Sequence, residues 1–246
     1  MTEARPEPRR SWYALAPGGW RDYVTLLHPP YTAWHVSYAV IGGCLAPAVA
    51  WGRLGAVAGA FALALGVGAH ALDELHGRPL QTRIPTATLV GLAIASVAGA
   101  CAIGFAVAAT YRPWLALLVP IGVFLVIAYN LELAGGRFHT DLWFGISWGG
   151  FPVLCGYAAV AGEIEVEAVL AAVFAVLLSL AQRALSNHVR YVRRQVTMVR
   201  GELELSDGSR ETLDTSKLIA PAEHGLRLLA AAVVMLAAAL VAFRLA

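Results

Sequence analysis

A chain of 246 residues that is 59% hydrophobic and only 14% charged, with a mean hydropathy of +0.65, is too apolar for a soluble globular domain, where about a quarter of residues carry charge. Its formal charge of +2 carries little information, because in a membrane protein the placement of charge matters more than its sum. One all-α, polytopic transmembrane bundle is expected, with no nucleic-acid partner. Residues 1–32 would be a cytoplasmic tail and interfacial segment, and residues 33–246 a single bundle with a cytoplasmic cap or hairpin at about 195–220.

The N-terminal "MTEARPEPRRSWYALAPGGW" has no apolar core and no small-residue cleavage site, so it reads as a short mobile tail and not a signal peptide. A spanning helix needs ~20 mostly apolar residues. Seven stretches meet that length or come close to it: 33–51, 54–74, 88–110, 114–131, 141–161, 166–188 and 223–245. Small residues recur inside them, as in "GAVAGAFALALGVGAH", and let helix backbones approach closely in lipid. Cys44, Cys101 and Cys155 each lie in an apolar stretch without a CxxC partner, which predicts buried thiols, no disulfide and no thiolate metal site. Between spans six and seven, "VTMVRGELELSDGSRETLDTSKLIAP" alternates around "SDGS", the pattern of a short β-hairpin or ordered cap.

Basic residues alternate in density between the two sets of loops. Arg5, Arg9, Arg10 and Arg21 precede span one, Arg78 and Arg83 follow span two, and Arg137 follows span four. Arg190, Arg193, Arg194, Arg200, Arg210 and Lys217 follow span six, whereas the opposite loops hold Arg53, Arg112, the acidic "GEIEVE" and the terminal Arg244. The positive-inside rule then places the N-terminus and the polar loops in the cytoplasm and the C-terminus on the opposite side.

Three polar stretches therefore share one face. In "AHALDELHGRPLQTRIP" (69–85), His70, Asp73 and Glu74 are spaced i, i+3, i+4 and fall on one helix face. Carboxylates and imidazole so placed can hold a divalent metal, and Arg78 and Arg83 can fork onto phosphate oxygens. The bland alternative for Glu74, His76 and Arg78 is a helix end solvated by cytoplasm. In "QRALSNHVRYVRR" (182–194), Arg183, Asn187, Arg190 and Arg194 form one helical stripe beside Gln182 and Ser186. The stripe suits a lipid phosphate or diphosphate, though flanking charge alone accounts for Arg193 and Arg194, and Arg183 fits either account. "YNLELAGGRFHTD" (129–141) adds Tyr129, Asn130, Glu132, Arg137, His139 and Asp141 around a Gly135–Gly136 turn, with Tyr129 and Trp143 also readable as interfacial anchors.

The layout of these loops resembles the UbiA superfamily of intramembrane prenyltransferases, above all its naphthoate-prenylating branch. "YVTLLHPPYTAWHVSYAVIGG" is similar to the first helix, with His28-Pro29 where Arg-Pro is usual. "AHALDELHGRPLQTRIP" resembles the first aspartate-rich motif, "YNLELAGGRFHTDLWFGISWGGFPVLCGY" the stretch after helix four, and "LSNHVRYVRR" the second motif. The resemblance covers roughly residues 20–195 and implies a polyprenyl diphosphate bound through Mg²⁺, ionised, and attacked by an aromatic or lipid acceptor. Carried over by position, Asp73 keeps one acid slot, while Ala69, His70 and Gly77 replace the other polar positions of the first motif. Asn187 and Arg190 match the second motif, whose acid slots hold His188, Tyr191 and Gln195. The pseudo-repeat of such bundles would turn His70 and His188 toward each other across the cavity.

The expected catalytic residues are thus Asp73, His70 and His188, and the substrate contacts are Arg83, Arg183, Asn187, Arg190, Tyr129 and Asn130. The expected metal ligands are Asp73, Glu74, His70 and Asp141. Imidazole suits Zn, Fe or Cu better than Mg²⁺, so a transition metal is the alternative at a His70/His188 site. Three functions follow: a UbiA-like prenyltransferase, a UbiA-like fold with altered His/Asp chemistry on an isoprenoid or quinone-like lipid, or a non-catalytic lipid-binding subunit with a membrane-protein partner.

Overall fold

The computed structural model describes residues 11–246. Two shorter helices come first, α1 (Trp20–Leu26) and α2 (Pro29–Leu45). Six helices long and apolar enough to cross a membrane follow: α3 (Trp51–Leu75), α4 (Thr86–Thr110), α5 (Pro113–Asn130), α6 (Asp141–Ala161), α7 (Val166–Gln195) and α8 (Thr215–Leu245). Large side chains such as Ile94, Phe105, Leu117, Leu170 and Met235 point outward from this bundle. An apolar exterior of that extent, around an interior that buries charge, belongs to a multi-pass membrane protein.

α2 covers most of the first anticipated span, 33–51, but stops at Leu45, where Ala46 turns extended ahead of Pro47. Its 17 residues reach roughly 26 Å, a little short of a ~30 Å hydrocarbon core. It is nevertheless the centre of the bundle. Trp34, Tyr38 and Ile41 pack with Val153 of α6, Ala172 and Ala175 of α7, and Ala230 and Val233 of α8. The Trp34 indole donates to the Tyr38 hydroxyl at 2.7 Å, so both large polar-tipped side chains are satisfied inside the core.

Glycines let α2 and α6 touch backbone to backbone. A Cβ on Gly42 would lie 2.1 Å from the Val153 carbonyl oxygen, and one on Gly156 would lie 2.0 Å from that of Ala39. Gly149 approaches α7 in the same way, with the Ala175 oxygen 2.5 Å from where its Cβ would be. α6 is accordingly the most enclosed long helix, 72% buried over its apolar window, against 17% for the peripheral α4.

Two helices change winding midway. Ala62–Ala69 of α3 and Gly145–Gly150 of α6 are π-helical, closing i→i+5 bonds. In α6 the sequence explains part of this. Pro152 has no N–H to offer the carbonyl four residues back, which is that of Trp148. His35 Nδ1 from α2 fills the vacancy, donating to the Trp148 oxygen at 3.0 Å.

At one end of the bundle, side chains close the last carbonyls of the helices. Arg53 donates to the Ala159 and Val160 oxygens, each at 2.8 Å, while its guanidinium lies 3.6 Å over the Tyr111 ring. Tyr111 donates to the Ala161 oxygen at 2.9 Å, Trp114 to that of Gly162 at 3.0 Å, and Arg244 to those of Cys44 and Ala46 at 2.8 and 2.6 Å. The three polar stretches meet at the other end.

Between α7 and α8 the chain makes an antiparallel hairpin, β1 (Glu202–Glu204) with β2 (Arg210–Thr212), in which Leu203 pairs with Glu211. Gly208 supplies the left-handed turn residue at φ 80°, and all six strand residues are exposed. The hairpin stands clear of the polar cavity described next. That position is held by Ser11–Pro17, part of the segment expected to be a mobile tail; residues 1–10 of that tail lie outside the described residues.

Candidate functional site

The loop after α3 is built before it can bind anything. Glu74, fully buried, accepts from the Leu80 amide at 2.9 Å through Oε2, and through Oε1 from the Thr82 amide and hydroxyl at 2.8 and 2.9 Å. Arg78 donates to the Ile84 oxygen at 2.7 Å and the Thr86 hydroxyl at 2.9 Å. Asp22 of α1 accepts from the Gly18 and Arg83 amides, both at 2.9 Å. Glu74, expected as a metal ligand, is therefore a scaffold for residues 76–85. Its two oxygens meet three donors of its own chain.

Above this loop lies a cavity of about 830 Å³, within the usual size of a small-molecule site. Its walls come from Ser11–Pro17, the start of α2, the ends of α3 and α5, and the polar stripe in the last turns of α7. Among the expected residues, His70, Asp73, Arg83, Tyr129, Asn130, Arg183 and Arg190 all line it. His70 Nδ1 sits 3.1 Å from the Gly66 carbonyl, which only accepts, so Nδ1 is the donor there and Nε2 is the ring nitrogen left for other contacts. Asn130 donates back to the Val126 oxygen at 2.7 Å. Tyr129 stacks on His139, centroids 4.4 Å apart, and its buried hydroxyl has no hydrogen-bond partner among the described residues. Gln182, beside the stripe, likewise buries an unpartnered Oε1 against the cavity.

Three expectations need correction. His188 is exposed and its Nε2 meets the Leu218 carbonyl of α8 at 3.0 Å, so it does not face His70 across the cavity. One residue is ~100° around a helix, and the cavity face of α7 is the one carrying Gln182, Arg183, Ser186, Arg190 and Arg194. The imidazole beside His70 is His28, with ring centroids 4.2 Å apart. Asp141 is spent on α7: Arg183 Nε donates to it at 2.9 Å, and Asn187 Nδ2 lies 3.3 Å from both its oxygens while accepting from Arg190 through Oδ1. Asn187 thus positions Asp141 and Arg190 and is not itself part of the cavity wall.

The metal set Asp73, Glu74, His70 and Asp141 is consequently divided. Among the described residues no group of three His, Cys, Asp or Glu side chains is placed to hold a metal ion. Asp73 is the remaining candidate, facing the cavity without a hydrogen-bond partner among the described residues, and the second motif contributes no carboxylate at all. These residues do not fit the paired Mg²⁺ arrangement that the family resemblance implies, nor a His70/His188 transition-metal site.

Sequence reading gave no role to His35 or to Ser11–Pro17, and treated His28 only as a departure from Arg-Pro. Each lines the cavity. His28 takes left-handed backbone angles (φ 44°, ψ 57°) at the start of α2, which aims its ring inward against Tyr13, Tyr31 and His70. Burial, then the neighbouring His70 and Arg190, hold its imidazole well below the usual histidine range, so it is neutral. Tyr13 is pushed up to about 12, chiefly by burial, and stays a hydroxyl.

A second, apolar crevice of about 120 Å³ runs between α3, α4, α5 and α6, lined by Phe61, Val97, Val123, Phe151 and neighbours. Leu65 and Trp148 line both spaces. Each of these two residues lies within a π-helical segment, so the changes of winding sit where polar and apolar spaces meet. Compared with protein-family models, with characterised proteins and with solved structures, the chain matches none.

Proposed function

We propose that this chain is a membrane-embedded, UbiA-like transferase that moves an isoprenoid chain from a polyprenyl diphosphate to an aromatic or lipid acceptor. One observation carries the reading: a polar, arginine-lined cavity and an apolar crevice share a wall at Leu65 and Trp148. An amphiphile with an anionic head and a hydrocarbon tail is the ligand class that satisfies both spaces at once. The diphosphate lies toward Arg83, Arg190 and Arg194, and the chain runs past Trp148.

In the transfer, the bond between the allylic carbon and the diphosphate oxygen breaks, and the electron pair leaves with the diphosphate. The acceptor supplies a pair to the allylic cation and loses a proton, which Asp73 or His70 Nε2 takes. Arginines aimed at the leaving oxygens favour the departure of charge, and the enclosed bundle keeps water from the cation. Seven crossings, with α2 as the first, put the polar end in the cytoplasm and the C-terminus opposite. The three arginines at the far end support this, since Arg53 and Arg244 are engaged on carbonyls and Arg112 stands beside the Tyr111 ring.

A second reading keeps the ligand and removes the chemistry. The commitment of Glu74 and Asp141 to structural contacts favours a lipid-diphosphate carrier or a subunit that presents such a lipid to a membrane-protein partner. Diphosphate release separates the two. With allylic diphosphates of several lengths, the transferase reading expects release by the purified protein and its loss in Asp73→Asn at unchanged thermal stability. Full release by Asp73→Asn would remove that residue from the chemistry. No release at any length would leave the carrier.

A further inference from the structure

We infer that the diphosphate head is held by guanidinium groups, those of Arg83, Arg190 and Arg194, and that binding needs no divalent cation. This rests on the reading above that the ligand is an amphiphilic diphosphate. A tally of charge around the cavity carries it. Six arginines line the space: Arg78, Arg83, Arg183, Arg190, Arg193 and Arg194. Arg78 is spent on loop carbonyls, Arg183 on Asp141 and Arg193 on Glu223. Arg83 and Arg194 make no side-chain hydrogen bond or ion pair among the described residues, and Arg190 has only the neutral Asn187 amide.

Against these three cations stand few available acids. Asp22 is engaged by two backbone amides, and Glu132 lies between His76 and His139, 4.0 Å from each. Among the described residues, Asp73 alone of the lining acids has no side-chain hydrogen bond or ion pair. Six lining arginines stand against four lining acids, Asp22, Asp73, Glu132 and Glu223, and counting Asp141 on Arg183 still leaves positive charge in surplus before any ion arrives. Among the described residues the cavity also buries the Tyr129 hydroxyl (5% exposed), a donor with no hydrogen-bond partner. A hydroxyl donor and three guanidinium forks match the many acceptor oxygens of a diphosphate, and Arg forks onto phosphate bidentately.

The probe is farnesyl diphosphate, titrated onto the full chain in detergent with EDTA and, separately, with Mg²⁺. The expected result is the same affinity in both within about twofold, and a loss of about tenfold or more in Arg190→Gln/Arg194→Gln under both conditions, the scale of one charged hydrogen bond. Arg83→Gln, whose side chain supports nothing in the fold, is expected to weaken binding likewise and guards against a double variant that fails to fold. Binding that disappears in EDTA and returns with Mg²⁺ overturns the inference and leaves the diphosphate reading standing. No binding under either condition, or farnesol competing as well as its diphosphate, overturns both.

Discussion

His28 shows how one side chain can tie backbone, cavity and pH together. Its left-handed conformation starts α2, its ring lies tilted against that of His70, and its surroundings keep it neutral. A histidine in the unfolded chain titrates near 6.5. Below that value the unfolded state binds a proton that the folded state refuses, so stability rises with pH and is lost as pH falls through 6.5 toward the depressed folded value. The cost approaches ~1.4 kcal/mol for each pH unit in that window. Asn tolerates left-handed backbone angles, so His28→Asn is expected to lose less thermal stability than the parent between about pH 7.5 and 5.5. An equal loss would assign the slope to other groups. At this scale the sequence was informative where spacing alone decides. His70 and Asp73 emerge together on the cavity wall, and Arg183 and Arg190 on one face of α7. It was silent where a residue's partner lies far along the chain. Nothing in "DELHGRP" says that Glu74 will fold back onto Thr82, and nothing in "SNHVR" says that His188 falls one step outside the cavity face.

At the scale of elements, small residues set the spacing of α2 and α6, and this gives a sharp test. Gly156→Ala places a methyl 2.0 Å from where the Ala39 oxygen now lies, forcing two backbones apart. Overpacking of this kind costs about 1–3 kcal/mol, so the unfolding midpoint in detergent is expected to fall. Gly55→Ala on α3, whose Cβ meets nothing within 4 Å, is expected to hold or raise it. Equal effects would mean the close approach does not support the fold. Span positions were legible because ~20 apolar residues have few alternatives. The π-helical segments were not, since hydrophobic periodicity cannot register one extra residue per turn in a stretch apolar on all sides. "ALALGVGA" gives no phase to read. The hairpin was visible in its alternation around "SDGS". Its exposure was not, because alternation fixes which residues share a side and not what lies beyond.

At the scale of the whole molecule, arginine distribution separates two ends, and the structure assigns them different work. Far-end guanidinium groups fasten helix ends together, whereas those of the polar end stand partly free around a cavity. The grouping of 69–85, 129–141 and 182–194 was readable from charge alternation, while the inward fold of Ser11–Pro17 was not, since its prolines and glycines carry no periodic signal. The fastened end has a mechanical consequence. With Arg53, Tyr111, Trp114 and Arg244 stitching α2, α6 and their neighbours, that end is expected to be the stiffer of the two. On the proposed reading, admission of a long amphiphile falls to Ser11–Pro17, since Glu74 and Arg78 pin the 76–85 loop. Hydrogen exchange is expected to record a stiffness gradient: slow amides through 153–161, fast ones through 11–15, and slowing of the fast set when farnesyl diphosphate is added. Uniform exchange along the bundle would mean the stitches confer no rigidity.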